Sequence, residues 1–407
     1  MRTYRELFAV PEFTPLFTAS GLGITAGTIE GLALGTLVFE ATGSPLLSAL
    51  SMFGASFSQV LGATLLMAVA DRRRPRALLT AGPSLLALGV ALLAVPGLPV
   101  AVTLLIILAT GLVNSVAGGA RWGLLLRLLP EGGYVLGRSL FGMAGGLTQI
   151  GGFAAGGVLI AFLSPRGALL VAAGLFLAAA AVTRLGLTDR PPAGTGGVSA
   201  RDTWRVNREL WGTRERRRLY LALWVPNGLV VGCEALFVPY APDAAGALFL
   251  AAALGMLLGD VTMARLVPPR LRPRLITPMR LLLAAPFLLF ALPGGPPLPL
   301  AAVLALVACT GYSASLLLQE QLVARTPEDM RGQALGLQSA GTMTFQAVGA
   351  TLAGGVAHWV APGPAMGVMA AASLLVSLAL TPGLVRLART PPTPDPARSS
   401  SAPRPAS

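Results

Sequence analysis

The sequence predicts an all-α membrane protein with about twelve transmembrane helices, arranged as two pseudo-symmetric bundles of six. Three observations carry this prediction: the apolar composition, a series of apolar runs, and landmarks that recur after half the chain. Hydrophobic residues make up 54% of the 407 residues and charged residues only 12%, whereas a soluble domain carries roughly 25% charged residues. The mean hydropathy is +0.72. Lipid rather than water is therefore expected to surround most of the chain.

The apolar runs form two sets of six. Each run is near or above the ~20 residues that a helix needs to cross a bilayer. Frequent Gly and Pro within the runs are typical of membrane helices, where small residues allow close packing. The first set falls at about 13–39, 45–70, 77–95, 99–120, 138–163 and 167–187, and the second at about 219–241, 245–267, 275–293, 298–322, 333–360 and 365–387.

Several landmarks recur at an offset close to half the chain. The pattern Arg-x-Arg-Pro-Arg surrounds Pro75 and again Pro273, 198 residues later. The sequence Gly-Gly-Val at 156–158 recurs at 354–356, and a lone acid stands early in each set, Glu30 and Glu234. Because different landmarks repeat in one order, we predict an N-terminal bundle (1–187) and a C-terminal bundle (219–387). The long polar break between them predicts a cytoplasmic linker (188–218), and the Pro-, Ser- and Ala-rich end predicts a disordered cytoplasmic tail (388–407).

The distribution of arginine predicts the orientation. All 30 basic residues are arginine, and they concentrate in alternate loops, whereas the opposite loops hold only Arg166. Because positive loops face the cytoplasm, we expect a multi-pass protein of the cytoplasmic membrane with both termini and the central linker inside. The arginines occupy short loops rather than one basic face, so a nucleic-acid partner is not expected despite the net charge of +13.

The only long polar break is the segment 188–218. Within it, residues 201–211 are consistent with a short amphipathic helix on which Trp204 and Trp211 share a face. The arginines of such a helix would contact anionic lipid headgroups. The alternative is a solvated linker with basic anchors.

Two motifs resemble those of the major facilitator superfamily of transporters, over about residues 13–387. Asp71-Arg72 and the later Arg76 match part of the signature Gly-x-x-x-Asp-Arg-x-Gly-Arg-Arg between helices 2 and 3, with Met67 in place of the leading glycine. The stretch 152–157 keeps the glycines of the helix-5 antiporter motif, with Phe153 in place of its proline. The resemblance implies that Asp71 and Arg72 join a cytoplasmic charge network, with Arg121 or Arg138 as partners. The alternative is that these arginines only fix topology.

Ionisable residues within membrane spans are costly and usually face a cavity or a partner. Glu30 and Glu234 are therefore candidates to bind protons or a cationic substrate, the alternative being a structural role between helices. Neutral polar residues within the runs are candidates to line a cavity: Gln59, Asn114, Gln149, Asn227, Gln338 and Gln346. Candidates for a cytoplasmic gate are Asp71, Arg72, Arg76, Arg121, Arg138, Asp260, Arg265 and Glu320, with Asp260 pairing with Arg265 and Glu320 with Arg325 or Arg265.

No catalytic set is visible. The single histidine, His358, and two isolated cysteines predict neither a metal site nor a nucleophile, and no phosphate-binding glycine loop is present. We expect no cofactor and no enzyme activity. The resemblance implies a secondary transporter, expected to be monomeric, that moves a small molecule by alternating access. Efflux of an amphipathic or cationic compound in exchange for protons is the leading form. Proton-coupled uptake, and a non-transporting receptor or scaffold on the same fold, are the alternatives.

Overall fold

The computed structural model describes residues 4–65, 73–129, 133–191, 200–268, 270–327 and 330–389. Within these ranges the chain is almost entirely helical and contains no strand. Nine helical segments of the described chain are long and apolar enough to cross a membrane by length and composition. One of these, Leu136–Gly186, contains two crossings, and two further long helices complete the twelve. The twelve-helix architecture predicted from the sequence is confirmed.

The N-terminal half contributes helices α1 to α6. Four of them are α1 Phe13–Thr42, α2 Pro45–Leu65, α3 Pro75–Leu93 and α4 Val100–Leu128. The segment Gly133–Gly186 supplies α5 (133–163) and α6 (165–186), which are separated only by Ser164 at φ 70° and ψ 164°. Proline disfavours the helical conformation at the residue before it. The predicted loop between these spans is thus reduced to a break of one residue ahead of Pro165.

The C-terminal half contributes helices α7 to α12, several of which change helical type. Helices α8 and α9 end in a π segment and a 3₁₀ segment, respectively, and a 3₁₀ turn at Gly311–Ser313 interrupts α10. The bounds are α7 Arg214–Ala235, α8 Ala245–Val261 followed by Thr262–Leu266, α9 Arg272–Ala284 followed by Ala285–Ala291, α10 Leu298–Thr310 and Ala314–Ala324, α11 Arg331–Val356 and α12 Pro362–Arg389.

A short helix, Ala200–Gly212, lies in the linker before α7. Its Trp211 stacks on Tyr220 and Trp224 of α7, with ring centroids 6.0 and 5.4 Å apart. Arg216 of α7 donates hydrogen bonds to the carbonyls of Leu210 and Glu209 at its C-terminal end. The helix is therefore docked on the C-terminal half, while Trp204 remains 72% exposed.

A fully buried arginine lies inside the C-terminal half. Arg280 of α9 is 1% exposed, and its Nη1 donates to the carbonyl of Ser377 on α12 at 3.4 Å. Its Nε and Nη2 have no acceptor among the described residues. The side chain thus ties α9 to α12 through one weak bond.

The two halves touch at the ends of their helices that lie away from the arginine-rich loops. Here α5 meets α8 and α2 meets α11 through backbone-to-backbone approaches. A Cβ built on Gly246 of α8 would lie 2.7 Å from the Cα of Gly157. A Cβ built on Gly354 of α11 would lie 2.7 Å from the Cα of Leu46. Both recurrent Gly-Gly pairs of the sequence therefore lie at this contact, which we call the distal contact.

On the arginine-rich face, formed by the opposite ends of the helices, the ion pairs found among the described residues each lie within one half. In the N-terminal half, Arg74 pairs with Asp189, and Arg190 pairs with Glu12 at 2.7 Å. In the C-terminal half the described ion pairs are Arg272 with Glu320 at 3.2 Å and Arg325 with Glu215 at 3.7 Å. None of these four pairs crosses between the halves. Within the described residues the halves are thus joined at the distal contact, and no ion pair joins them at the arginine-rich face.

Candidate functional site

A cavity of about 480 Å³ lies among the helices of the N-terminal half. It runs along α1 from Leu16 to Leu34, which is about 27 Å at 1.5 Å per residue. Walls come from α1 to α6, and one residue, Phe249, comes from α8. Phe249 stacks on Phe153 with ring centroids 4.8 Å apart, and both line the cavity. This stack lies at the distal end of the cavity, and Leu16, at the other end of the lined stretch of α1, lies toward the arginine-rich face.

Five strongly polar side chains line this cavity. Glu30, Gln59, Asn114 and Gln149 were predicted as coupling or cavity residues, and the structure brings all four together on α1, α2, α4 and α5. The fifth, Arg121 of α4, was predicted at the gate instead. The predicted run ended at about residue 120, whereas α4 continues to Leu128, so Arg121 lies seven residues inside the observed helix.

Glu30 faces the cavity from α1. Among the residues that the structure describes, none forms a hydrogen bond or an ion pair with its carboxylate. Around it, the cavity face of α1 carries Gly23, Gly27 and Gly31, and a Cβ added at any of them would meet nothing within 4 Å. The carboxylate thus stands beside an open strip of backbone, with space for a ligand.

Arg121 lies nearer the arginine-rich face. Its guanidinium carbon is 4.9 Å from the ring centroid of Trp122, and that of Arg138 is 5.4 Å from the same ring. The three side chains line a second cavity of about 200 Å³ together with Ile24, Phe141 and Gly142. The Nε of Arg121 is buried and has no acceptor among the described residues. Two guanidinium groups therefore flank one aromatic ring without a carboxylate beside them in the described chain.

Glu234, the repeat mate of Glu30, has a different environment. It is 7% exposed and lies on α7 away from the cavity. The hydroxyl of Tyr312 donates a hydrogen bond to its Oε1 at 2.8 Å, and the thiol of Cys309 donates to the same atom at 3.4 Å. Both donors belong to α10, so Glu234 ties α7 to α10.

The predicted cavity residues of the C-terminal half are also used in helix packing. The amide nitrogen of Gln346 donates to the Oδ1 of Asn227 at 3.0 Å, joining α11 to α7. The side-chain amide of Gln338 donates to the hydroxyl of Thr342 at 3.0 Å, and its backbone carbonyl accepts from the indole of Trp224 at 2.9 Å. None of these residues lines the cavity described above. Gln149 and Gln346 are repeat mates at similar depth, but Gln149 lines the cavity, whereas Gln346 bonds to a neighbouring helix.

Several predicted gate residues have partners other than those expected. Glu320 pairs with Arg272 rather than with Arg325 or Arg265. No ion pair joins Asp260 to Arg265 in the described chain; residues five apart lie on different helix faces, and the π segment begins two residues after Asp260. Arg76 donates to the carbonyl of Arg184 on α6. Asp71 and Arg72 lie outside the described residues.

Comparison with solved structures gives the same fold at low sequence identity. A POT family transporter in complex with a thioalcohol-conjugated peptide has a TM-score of 0.70 at 13% identity, covering 92% of this chain and 96% of that one. A bacterial homologue of the human lysosomal transporter Spinster, in an inward-facing and unoccupied conformation, has a TM-score of 0.65 at 14% identity, with 96% of each chain covered. The nucleoside transporter NupG, as a point mutant, has a TM-score of 0.68 at 14% identity, covering 90% and 99%.

No protein-family model matches the chain, and no curated protein matches its sequence. The structural similarity confirms the predicted fold, which the chain shares with these transporters.

Proposed function

We propose that this protein is a secondary transporter that moves a small molecule across the cytoplasmic membrane by alternating access. The observation that carries the proposal is the cavity beside Glu30, which has the Phe153–Phe249 stack at its distal end and extends toward the arginine-rich face. A scaffold would have little need of an unpaired carboxylate in an internal cavity, because ionisable groups within a membrane are costly and mark functional paths.

Assignment of the arginine-rich face to the cytoplasm follows the positive-inside rule. On that assignment the conformation is inward-open, with both termini and the linker inside. Transport then requires the glycine contacts at Gly157–Gly246 and Gly354–Leu46 to separate while the arginine-rich ends of the halves approach. Rocking of two halves about a central site is the general mechanism for proteins with such repeats.

Glu30 is the coupling residue in this proposal. Its carboxylate has no partner among the described residues, so a proton and a cationic group of the substrate compete for the same oxygens. A substrate that enters from the cytoplasm displaces the proton, and a proton from outside later displaces the substrate. This competition gives proton-coupled efflux, with the polar side chains of Gln59, Asn114 and Gln149 surrounding the bound molecule. Glu234 is assigned a structural role because Tyr312 and Cys309 already bond to it.

Proton flux in proteoliposomes tests the proposal. Amphipathic amines are added to vesicles holding wild-type protein, Glu30→Gln or the matched variant Glu234→Gln, and the internal pH is followed with a trapped dye. We expect amine-driven proton movement in the wild type and in Glu234→Gln, but not in Glu30→Gln. Equal flux in all three proteins would remove Glu30 from the mechanism, and movement of protons in the same direction as the amine would favour uptake by symport.

A further inference from the structure

The charged groups of the cavity indicate which class of substrate it accepts. We propose that the cavity binds an elongated zwitterion, with its cationic group at Glu30 and its anionic group at Arg121. This inference rests on the proposed function and adds the substrate class to it.

The first argument is that both charges are present and neither is satisfied. Glu30 and Arg121 line the same cavity but do not pair with each other. The described chain provides no carboxylate for Arg121, and its buried Nε lacks an acceptor. Buried donors without a partner are rare in folded proteins and call for an explanation. A carboxylate or other planar anion matches a guanidinium in geometry and charge, so an anionic ligand group supplies the missing acceptor.

The second argument is the spacing of the two charges. Arg121 shares its small cavity with Ile24 of α1. Ile24 precedes Glu30 by six residues, which is about 9 Å along the helix axis. The opposite charges of a ligand that reaches both residues are therefore separated by about this length. An α-amino acid is too short to bridge them, whereas an extended chain of eight carbons with charged ends is suitable.

The third argument is the wall between the two charges. Gly23, Gly27 and Gly31 follow one another at intervals of four residues on the cavity face of α1. A Cβ at each would project into empty space, since nothing lies within 4 Å. The strip of bare backbone thus leaves a path from Glu30 toward Arg121 that an unbranched ligand can occupy. Arg138, on the same tryptophan ring as Arg121, adds a second positive charge at the anionic end.

A role for Arg121 in the gate alone predicts a different behaviour. In that case Arg121 would change how often the arginine-rich face closes, and its loss would affect charged and uncharged ligands alike. A binding role makes the effect depend on the carboxylate of the ligand. The two roles are therefore separated by matched ligands rather than by the variant alone.

The test measures affinity by calorimetry on the purified full-length protein with four probes: ω-aminooctanoate, octylamine, octanoate and the shorter ω-aminobutyrate. The wild type is expected to bind ω-aminooctanoate about tenfold more tightly than the other three, since a bond to a charged group is lost in each. In Arg121→Gln the preference over octylamine should vanish, while Arg121→Lys should retain part of it. In Glu30→Gln the preference over octanoate should vanish.

Three results would overturn the inference: equal affinity of the wild type for octylamine and ω-aminooctanoate, a preference that survives Arg121→Gln, or no binding of any probe. The ligand comparison on the wild type stands even if a variant fails to fold. Failure here is distinct from failure of the proposed function. Glu30-dependent proton flux driven by octylamine, without a gain from the carboxylate, would refute the zwitterion and leave the transporter intact.

Discussion

Adding one methyl group at Gly354 is expected to shift the protein away from the conformation described above. The new Cβ would lie 2.7 Å from the Cα of Leu46 and 3.1 Å from its backbone nitrogen. Carbon atoms pack best at about 3.5–4.0 Å, and backbone atoms cannot rotate aside, so α11 and α2 must move apart by roughly 1 Å. Overpacking of this kind costs about 1–3 kcal/mol. The cost falls only on the state in which the distal contact is closed.

A free-energy difference of that size changes a two-state equilibrium by about 5-fold to 150-fold. Spin labels at Leu126→Cys on α4 and Leu266→Cys after α8 report the separation of the halves at the arginine-rich face. Both positions are exposed, and the native Cys233 and Cys309 are fully buried, so they stay unlabelled. Pulsed electron–electron double resonance should show a larger population of short distances between the two labels in Gly354→Ala than in the unsubstituted protein.

The neighbouring substitution Gly355→Ala is the matched control, because a Cβ there meets nothing within 4 Å. It should leave the distance distribution unchanged. Gly246→Ala, whose Cβ would approach the Cα of Gly157 to 2.7 Å, should shift the distances in the same direction as Gly354→Ala. Identical distributions in Gly354→Ala and Gly355→Ala, with both variants folded, would refute the role given to the distal contact.

Three further variants test other parts of the structure. Burial alone would raise the pKa of Glu12, but the hydrogen bonds from Arg190 and Thr188 outweigh it and hold that pKa below its usual value. This stabilisation is present at neutral pH and is lost as the pH falls through the folded-state pKa of Glu12. The melting temperature of Glu12→Gln should therefore be lower than that of the wild type at pH 7 and equal to it in acid. Tyr312→Phe removes a donor to the buried Glu234 and should lower the free energy of unfolding by about 1–3 kcal/mol, measured by denaturation in detergent, while Glu30-dependent proton flux persists. Gly27→Val should narrow the cavity and weaken the binding of ω-aminooctanoate in calorimetry without loss of thermal stability. The control Gly174→Val, on the exposed side of α6, should change neither the binding nor the stability. Normal binding of ω-aminooctanoate by Gly27→Val would argue against the path along the glycine backbone.

The membrane spans could be predicted from the sequence because the pattern that identifies each one lies within the span itself. A run of apolar residues of sufficient length identifies each crossing, and the arginines distinguish the two faces without knowledge of packing. The irregularities within spans were also encoded locally but were not recognised. Proline has no N–H to donate within a helix, and Pro286 stands in the 3₁₀ segment Ala285–Ala291 that ends α9. The sequence predicted one continuous run there.

The surroundings of the acids could not be read from local pattern. Glu30 and Glu234 occupy equivalent depths, but the donors to Glu234 come from Tyr312 and Cys309, 78 and 75 residues away. The packing of α7 against α10 decides that Glu234 is bonded, whereas Glu30 has no bond among the described residues. Arg121 was predicted as a gate residue because the resemblance implied a partner for Asp71 and Arg72, and nothing in the sequence indicated that its side chain lines the cavity.

The buried arginine of α9 has a consequence for how the chain enters the membrane. An arginine at the centre of a lone helix costs about 2.5–3.5 kcal/mol on insertion scales. Arg280 receives its one described acceptor from Ser377, which is synthesised 97 residues later. During synthesis α9 therefore leaves the ribosome before α12, which carries the acceptor for the Arg280 side chain, has been made. We therefore expect α9 to stay beside lipid headgroups or the insertion machinery until α12 is made, and the C-terminal bundle to be completed only with its last helix.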